Sequence, residues 1–177
     1  DYIFAPVGGG GLLAGIATYV KELYPNVKII GVEPSDSNAM QKSVRAGERI
    51  ELEKVGIFAD GVAVKQVGDL TYQLCEKYVD DWVEVETDEI CSAIKSIYED
   101  TRSIVEPAGA LSVAGIRKYL QQNRIEGKSF IAINSGANMN FDRLRFVAER
   151  TLTGEQKEAI LAISIPEKVG ALKVLCE

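Results

Sequence analysis

Ala5-Pro6-Val7-Gly8-Gly9-Gly10-Gly11-Leu12-Leu13-Ala14-Gly15 decides the fold. It follows the apolar run Tyr2-Ile3-Phe4-Ala5 and opens a helical pattern with Leu12, Leu13, Ile16, Ala17, Val20 and Leu23 on one face. A strand, four glycines and a helix together make an arrangement that holds an anion. Without Cβ atoms the backbone can approach a ligand closely. The first N–H groups of the helix lack partners of their own, and its dipole favours negative charge. A turn built only for close packing does not need four consecutive glycines, so the stretch predicts a phosphate site.

Which phosphate is left open by the loop alone. Gly9, Gly11 and Ala14 satisfy the loose dinucleotide fingerprint. The next apolar run, Val27 to Val32, ends in Glu33, which lies 33 − 9 = 24 residues past Gly9. That is near the ~20 residues expected of a ribose-binding carboxylate. A nicotinamide or flavin oxidoreductase is therefore one reading.

Further along, Pro34-Ser35-Asp36-Ser37 breaks the pattern and a short helix from about Asn38 to Arg45 stops at Gly47. Residues 49–65 read as a surface loop turning at Gly56 and Gly61. Gly68-Asp69 caps a helix carrying Leu70, Leu74, Cys75 and Tyr78, and Trp82 to Val85 is a short strand. Thr87 is the expected cap of an amphipathic helix with Ile90, Ala93, Ile94, Ile97 and Tyr98. Glu106-Pro107 starts another helix, which shows Ala110, Leu111, Ala114 and Leu120 and ends near Asn123. Phe130 to Ile133 is a wholly apolar strand, Ser135-Gly136-Ala137-Asn138 turns off its end, and Phe141 to Arg150 forms a helix. Strands that alternate with helices, the central ones apolar throughout, predict an α/β fold, a parallel sheet with helices on both faces. Both turns, Gly8–Gly11 and Ser135–Asn138, then lie at the carboxyl edge, where ligands bind.

Composition narrows the chemistry. The chain has 177 residues, a net charge of −6 and no histidine. The acidic balance argues against a nucleic-acid or anionic-membrane surface. Without histidine, Ser-His-Asp and Cys-His catalysis are excluded, as are histidine-ligated metals. Cys75, Cys91 and Cys176 are odd in number and widely spaced, which suggests neither a disulfide framework nor a zinc site. They read as buried thiols of a reducing compartment. No apolar run approaches the ~20 residues that span a bilayer.

After residue 150 the character changes. Residues 151–158 read as a linker, and Ala159 to Ile165 as the strand that opens a second domain, 159–177. The chain begins on Asp1 directly before a strand and stops inside an apolar pattern, so a piece of a longer protein is expected, poorly soluble by itself.

Pro6-Val7-Gly8-Gly9-Gly10-Gly11-Leu12, Val32-Glu33-Pro34, Phe58 to Val64, Glu106-Pro107-Ala108-Gly109-Ala110 and Ser135-Gly136-Ala137-Asn138 together carry a resemblance. Across nearly its whole length the chain resembles the second half of the catalytic domain of the threonine dehydratases. These are pyridoxal-phosphate enzymes of the tryptophan-synthase-β fold type. The stretch Ile163 to Leu172 is similar to the start of their ACT-like regulatory domain, which favours the regulated dehydratases over serine racemase.

The resemblance implies several roles. Gly8, Gly9, Gly10, Gly11 and Leu12 cradle the phosphate of pyridoxal 5'-phosphate, and Ser135 hydrogen-bonds its pyridine nitrogen. Glu106 is a candidate catalytic residue facing the site, its alternative being a solvated acid at a helix start. Glu33 matches a position where relatives coordinate a divalent cation. The further acid such a site needs is missing near Ala39, so Glu33 is read as structural and no metal is expected. The Schiff-base lysine belongs upstream, in a Ser-x-x-x-Lys-type motif. Lys21, Lys65 and Lys118 sit in no such context, and the chain is expected to be inactive alone.

The implied activity is α,β-elimination of L-threonine to 2-oxobutanoate and ammonia, the first step of isoleucine biosynthesis. Isoleucine is the implied allosteric inhibitor, a homotetramer the implied assembly, and the cytoplasm or an organelle the implied location. Serine dehydration and racemisation use the same half-site and stay open. So does a degenerate relative that only senses a ligand.

Overall fold

The computed structural model describes residues 1–154 and 163–176. Four parallel strands, β1 (Tyr2–Pro6), β2 (Lys28–Pro34), β3 (Asp81–Val85) and β4 (Phe130–Ala132), form one sheet in the order β3-β2-β1-β4. Register pairs Phe4 with Ile30 on one side of β1 and with Ala132 on the other.

The pleat sorts the apolar residues onto two faces. Phe4, Ile30, Val32, Val83 and Val85 pack beneath α4 (Thr87–Thr101) and α5 (Pro107–Gln122). Ala5, Val7 and Ile29 pack on the other face against α1 (Gly11–Leu23), α2 (Ala39–Ala46) and α3 (Asp69–Tyr78). Both faces of β1 and β2 are covered, as wholly apolar strands require, whereas Ile131 of the edge strand β4 is left 53% exposed. From β1 to β3 the chain winds outward, with α1, α2 and α3 on one face. It then returns through α4 and α5 on the opposite face to place β4 beside β1. The strand order therefore reverses between β1 and β4, and such a switch point opens a crevice at the carboxyl edge. α6 (Arg143–Gly154) packs on α4, on the far side of the sheet from α1.

Several details differ from the sequence reading. The cap of α4 is Glu86 rather than Thr87: its side chain accepts from the first turn while Glu89 reaches back 2.7 Å to the Glu86 N–H, a reciprocal box that a hydroxyl one residue later does not form. The buried stripe of α1 is Leu13, Ala14 and Ala17, and Leu12 and Leu23 at its two ends are exposed. On α3, Tyr72 and Cys75 are buried while Leu70 faces solvent. Residues 60–62 form a 3-10 turn inside the stretch expected to be loop. α6 begins at Arg143 and continues to Gly154, past the expected start of the linker. Most of the strand expected over 159–165 lies outside the described residues. Its end, residues 163–165, is irregular and finds no strand to pair with among the described residues, and α7 (Ala171–Cys176) follows.

Candidate cofactor site

β1 delivers the chain to the carboxyl edge at Pro6, and the next regular element starts at Gly11. Gly10 is the N-cap of α1, at φ +89°, a backbone conformation that only glycine adopts without strain. Having no side chain, it leaves the helix start uncapped, and the first turn carries no acid. The first bond into the helix runs from the Ala14 N–H to the Gly10 carbonyl at 2.8 Å. Among the described residues, the N–H groups from Gly8 through Leu13 find no acceptor. Cβ atoms added at Gly9 and Gly11 would enter open space. A run of unpartnered donors on an open face at the positive end of a helix suits a phosphate dianion.

Behind the open face the loop is held tightly. A Cβ on Gly10 would collide with Met40 Cε of α2 and lie 3.0 Å from Thr71 Cβ of α3. The Thr71 hydroxyl donates to the Gly9 carbonyl at 2.6 Å. On Gly8 a Cβ would sit 2.9 Å from Val62 Cα, so the 3-10 turn at Asp60–Val62 lies directly against the loop. That turn is fixed by Arg143, which donates to the Phe58 carbonyl at 3.1 Å and pairs with Asp60 at 3.3 Å.

Ser135 follows β4, the neighbour of β1. The pairing ends at Phe4 with Ala132, the Ile133 N–H still donates to the Phe4 carbonyl at 3.0 Å, and Ser135 follows two residues later at the same carboxyl edge from which β1 leads into the glycine loop. The residue is exposed. Glu106, the N-cap of α5, is joined to this turn: its N–H donates to the Gly136 carbonyl at 3.1 Å, and a Cβ on Gly136 would collide with its Oε1. On Gly61 a Cβ would come within 3.7 Å of the same oxygen. The candidate residues Gly8 to Leu12, Glu106 and Ser135 therefore share one edge of the sheet, linked through the Asp60–Val62 turn.

Glu33 does not join them. Its side chain is 1% exposed and accepts from the Met40 N–H at 3.0 Å and the Gln41 N–H at 2.8 Å, capping α2. Burial pushes its carboxyl up to about 8, opposed by those two N–H groups. A carboxylate turned inward onto a helix start is not placed to bind ribose, which removes the dinucleotide reading of Gly9, Gly11, Ala14 and Glu33. Among the described residues no group of three or more acidic or cysteine side chains comes together as a metal site. Lys21 pairs with Asp80 at 2.7 Å, at the opposite edge of the sheet, and Lys118 pairs with Glu89 at 2.8 Å. An apolar groove of about 470 Å³ between α4 and α6 contains none of the candidate residues.

A doubly wound sheet with an uncapped glycine loop and a second strand-end turn beside it defines an enzyme half-site for a phosphorylated cofactor. Residues 1–136 match the family of pyridoxal-phosphate dependent enzymes, and the chain belongs to that family. It is 55% identical over 174 residues to the L-threonine dehydratase of Burkholderia multivorans, covering 98% of this chain and 34% of that protein. It is 54% identical over 175 residues to threonine dehydratase 1 of Solanum lycopersicum, covering 99% of this chain and 29% of that protein. The solved structure of threonine deaminase isoform 2 from Solanum lycopersicum superposes with a TM-score of 0.83 at 46% identity, over 84% of this chain and 43% of that one. Maize serine racemase superposes at 0.76 with 31% identity, over 85% of this chain and 47% of that one. The chain spans about a third of the length of the curated relatives it matches.

Thr71, Met40 and Arg143, which hold the loop and the adjoining turn, are not singled out by the sequence reading. Thr71 and Met40 look like ordinary helix residues, and no motif or spacing in the sequence marks them.

Proposed function

We propose that this chain is the phosphate-holding part of a pyridoxal-phosphate-dependent L-threonine ammonia-lyase. The complete enzyme converts L-threonine to 2-oxobutanoate and ammonia by α,β-elimination, opening isoleucine biosynthesis. The observation that carries the reading is the run of unpartnered N–H groups from Gly8 through Leu13, one strand away from Ser135. The names of the dehydratase relatives supply the substrate.

In this reading Gly8, Gly9, Gly10, Gly11 and Leu12 hold the phosphate. Ser135 donates a hydrogen bond to the pyridine nitrogen. A neutral hydroxyl does not protonate that nitrogen as a carboxylic acid would, so it moderates the electron sink and suits loss of a β-hydroxyl better than a long-lived carbanion. When bound, the cofactor supplies that sink, while the protein orients and tunes it. Glu106, held against the Ser135-Gly136 turn, faces the reacting centre as a candidate proton carrier. The lysine that anchors the cofactor comes from the remaining two-thirds of the enzyme, and residues 1–177 alone are inactive.

The tail from residue 159 opens an ACT-like regulatory domain. Isoleucine inhibits the complete enzyme, which assembles as a homotetramer. Among the described residues no helix is long and apolar enough to cross a membrane. The enzyme works in the cytoplasm of a bacterium, or in an organelle of a eukaryote, where relatives are named chloroplastic and mitochondrial.

The test uses the protein with its upstream coding sequence restored. A yellow protein whose visible spectrum shifts on adding L-threonine, with 2-oxobutanoate released, supports the assignment. A yellow protein that spares threonine but dehydrates or racemises serine moves it to the serine enzymes. A colourless protein inert to added pyridoxal phosphate overturns it.

A further inference from the structure

The cradle depends on which way its peptides face. Glycine peptides rotate freely, and four in a row have no intrinsic reason to present their N–H groups on one side. Loss of one aligned donor weakens an anion site directly, so something outside the loop must set the orientation. Three contacts reach the loop from behind, Val62 from the Asp60–Val62 turn, Met40 from α2 and Thr71 from α3, and only the last is polar.

Thr71 lies in the first turn of α3, at some sixty positions' remove from the loop in sequence. Its hydroxyl donates to the Gly9 carbonyl at 2.6 Å, and also approaches the carbonyl of Gly68 at 3.1 Å. A trans peptide is planar, with its C=O and N–H pointing in opposite directions. Fixing the Gly9 carbonyl on α3 therefore turns the Gly10 N–H away from α3, and that N–H has no acceptor among the described residues. The Thr71 Cβ packs on the side of Gly10 where a side chain would otherwise stand, which keeps the residue at φ +89°. Gly10 is also the carbonyl that receives the first helical bond, from Ala14. The Thr71 contact thus aligns the loop with the axis of α1.

We infer that Thr71 is a positioning residue for cofactor binding: its hydroxyl holds the Gly9–Gly10 peptide in the orientation that presents the Gly10 N–H to the phosphate. Thr71 touches neither substrate nor cofactor and acts through the loop. This rests on the pyridoxal-phosphate reading given above.

The test compares wild type, Thr71→Val and Thr71→Ser in the intact enzyme. Valine keeps the shape and removes the hydroxyl, and serine keeps the hydroxyl. Equilibrium binding is measured for pyridoxal phosphate and for pyridoxal, which lacks the phosphate, together with the ³¹P resonance of the bound cofactor. The expected result is a weakening of pyridoxal phosphate binding by about tenfold in Thr71→Val, equivalent to one lost, well-aligned hydrogen bond. Pyridoxal affinity stays unchanged, the ³¹P resonance shifts, and Thr71→Ser restores binding to within about twofold. Equal losses for both ligands would mean that the hydroxyl only stabilises the fold and would overturn the inference. So would a Thr71→Val enzyme that binds pyridoxal phosphate like wild type. If wild type itself binds no pyridoxal phosphate, the cofactor reading falls and takes this role with it.

Discussion

Glu106 and Gly136 hold each other in place. The Glu106 N–H donates to the Gly136 carbonyl at 3.1 Å, and the Glu106 side chain occupies the space where a Gly136 side chain would stand. The start of α5 and the turn after β4 are thereby one unit, carrying the candidate acid and Ser135 together. Gly109 tightens the unit, since a Cβ there would strike the Gly136 carbonyl. Gly136→Ala has to displace Glu106 or shift the turn. An overpacked contact of this kind costs about 1–3 kcal/mol. The variant of the intact enzyme is expected to lose turnover with L-threonine more than tenfold while retaining its helical circular dichroism. Retention of wild-type turnover would show that Glu106 and Ser135 are not mechanically coupled.

Glu33 sets a pH dependence. Its carboxyl is raised to about 8 by burial, above the ordinary 4.5. Between those two values the folded chain keeps a proton that the unfolded chain has released. Its contribution is therefore full below 4.5, declines as pH rises, and is lost above 8, with a slope of at most about 1.4 kcal/mol per pH unit. Glu33→Gln is expected to flatten that decline. It should also cost stability at acidic pH, because an amide nitrogen then faces one of the two N–H groups that the carboxyl now accepts. Urea unfolding between pH 5 and 9 checks both points. Wild-type stability that rises across this window would contradict the assignment.

Much of this was legible in the sequence, for a physical reason. Apolar runs of fixed length and a glycine cluster between them are local signals, and local signals specified β1, α1, β2, α5 and the order of the layers. Pairing of β4 with β1 is non-local, and here the apolar run misled: Phe130 to Ile133 reads as a strand buried on both faces, yet β4 stands at the edge of the sheet and Ile131 is 53% exposed. The identity of the buried stripe was less legible. In α1 the choice between Leu12 and Leu13 depends on where the helix sits over Ala5 and Val7, which periodicity leaves ambiguous. Thr71 and Met40 were invisible because their contacts with Gly10 depend on how α2 and α3 stack behind the loop. Glu33 shows the opposite case: the spacing fitted a ribose ligand, but only the fold reveals that the helix after it takes up both carboxylate oxygens.

The two described thiols are expected to be inert. Cys75 and Cys91 are both 0% exposed, and burial pushes each thiol up to about 12, helped by the negative charge of Glu33 near Cys75 and of Asp88 near Cys91. A thiol must ionise to react, so at pH 8 neither is a nucleophile. In a titration with an aromatic disulfide reagent, peptide mapping should find Cys75 and Cys91 unmodified in the native protein and fully modified in guanidinium. Native modification of either within minutes would show that its helix opens locally.

Ser112 offers a stabilising substitution. Its side chain is 0% exposed within α5, and its hydroxyl has no hydrogen-bond partner. A buried hydroxyl without a partner costs about 1–3 kcal/mol relative to one that is satisfied. Alanine removes that polar atom, fits the same space with a cavity no larger than one oxygen, and has a helix propensity better than serine by up to about 0.5 kcal/mol. Its neighbours in the helix, Leu111 and Ala114, already contribute to the apolar layer over β1 and β2. Ser112→Ala is therefore expected to raise stability by about 1 kcal/mol, read as an increase in the urea midpoint with an unchanged slope. Ser112 lies beyond the first turn of α5 that carries Glu106, so threonine turnover should be retained. A lower midpoint would mean that the hydroxyl has a partner in solution, and the same variant's hydrogen exchange along α5 would then show which turn had loosened.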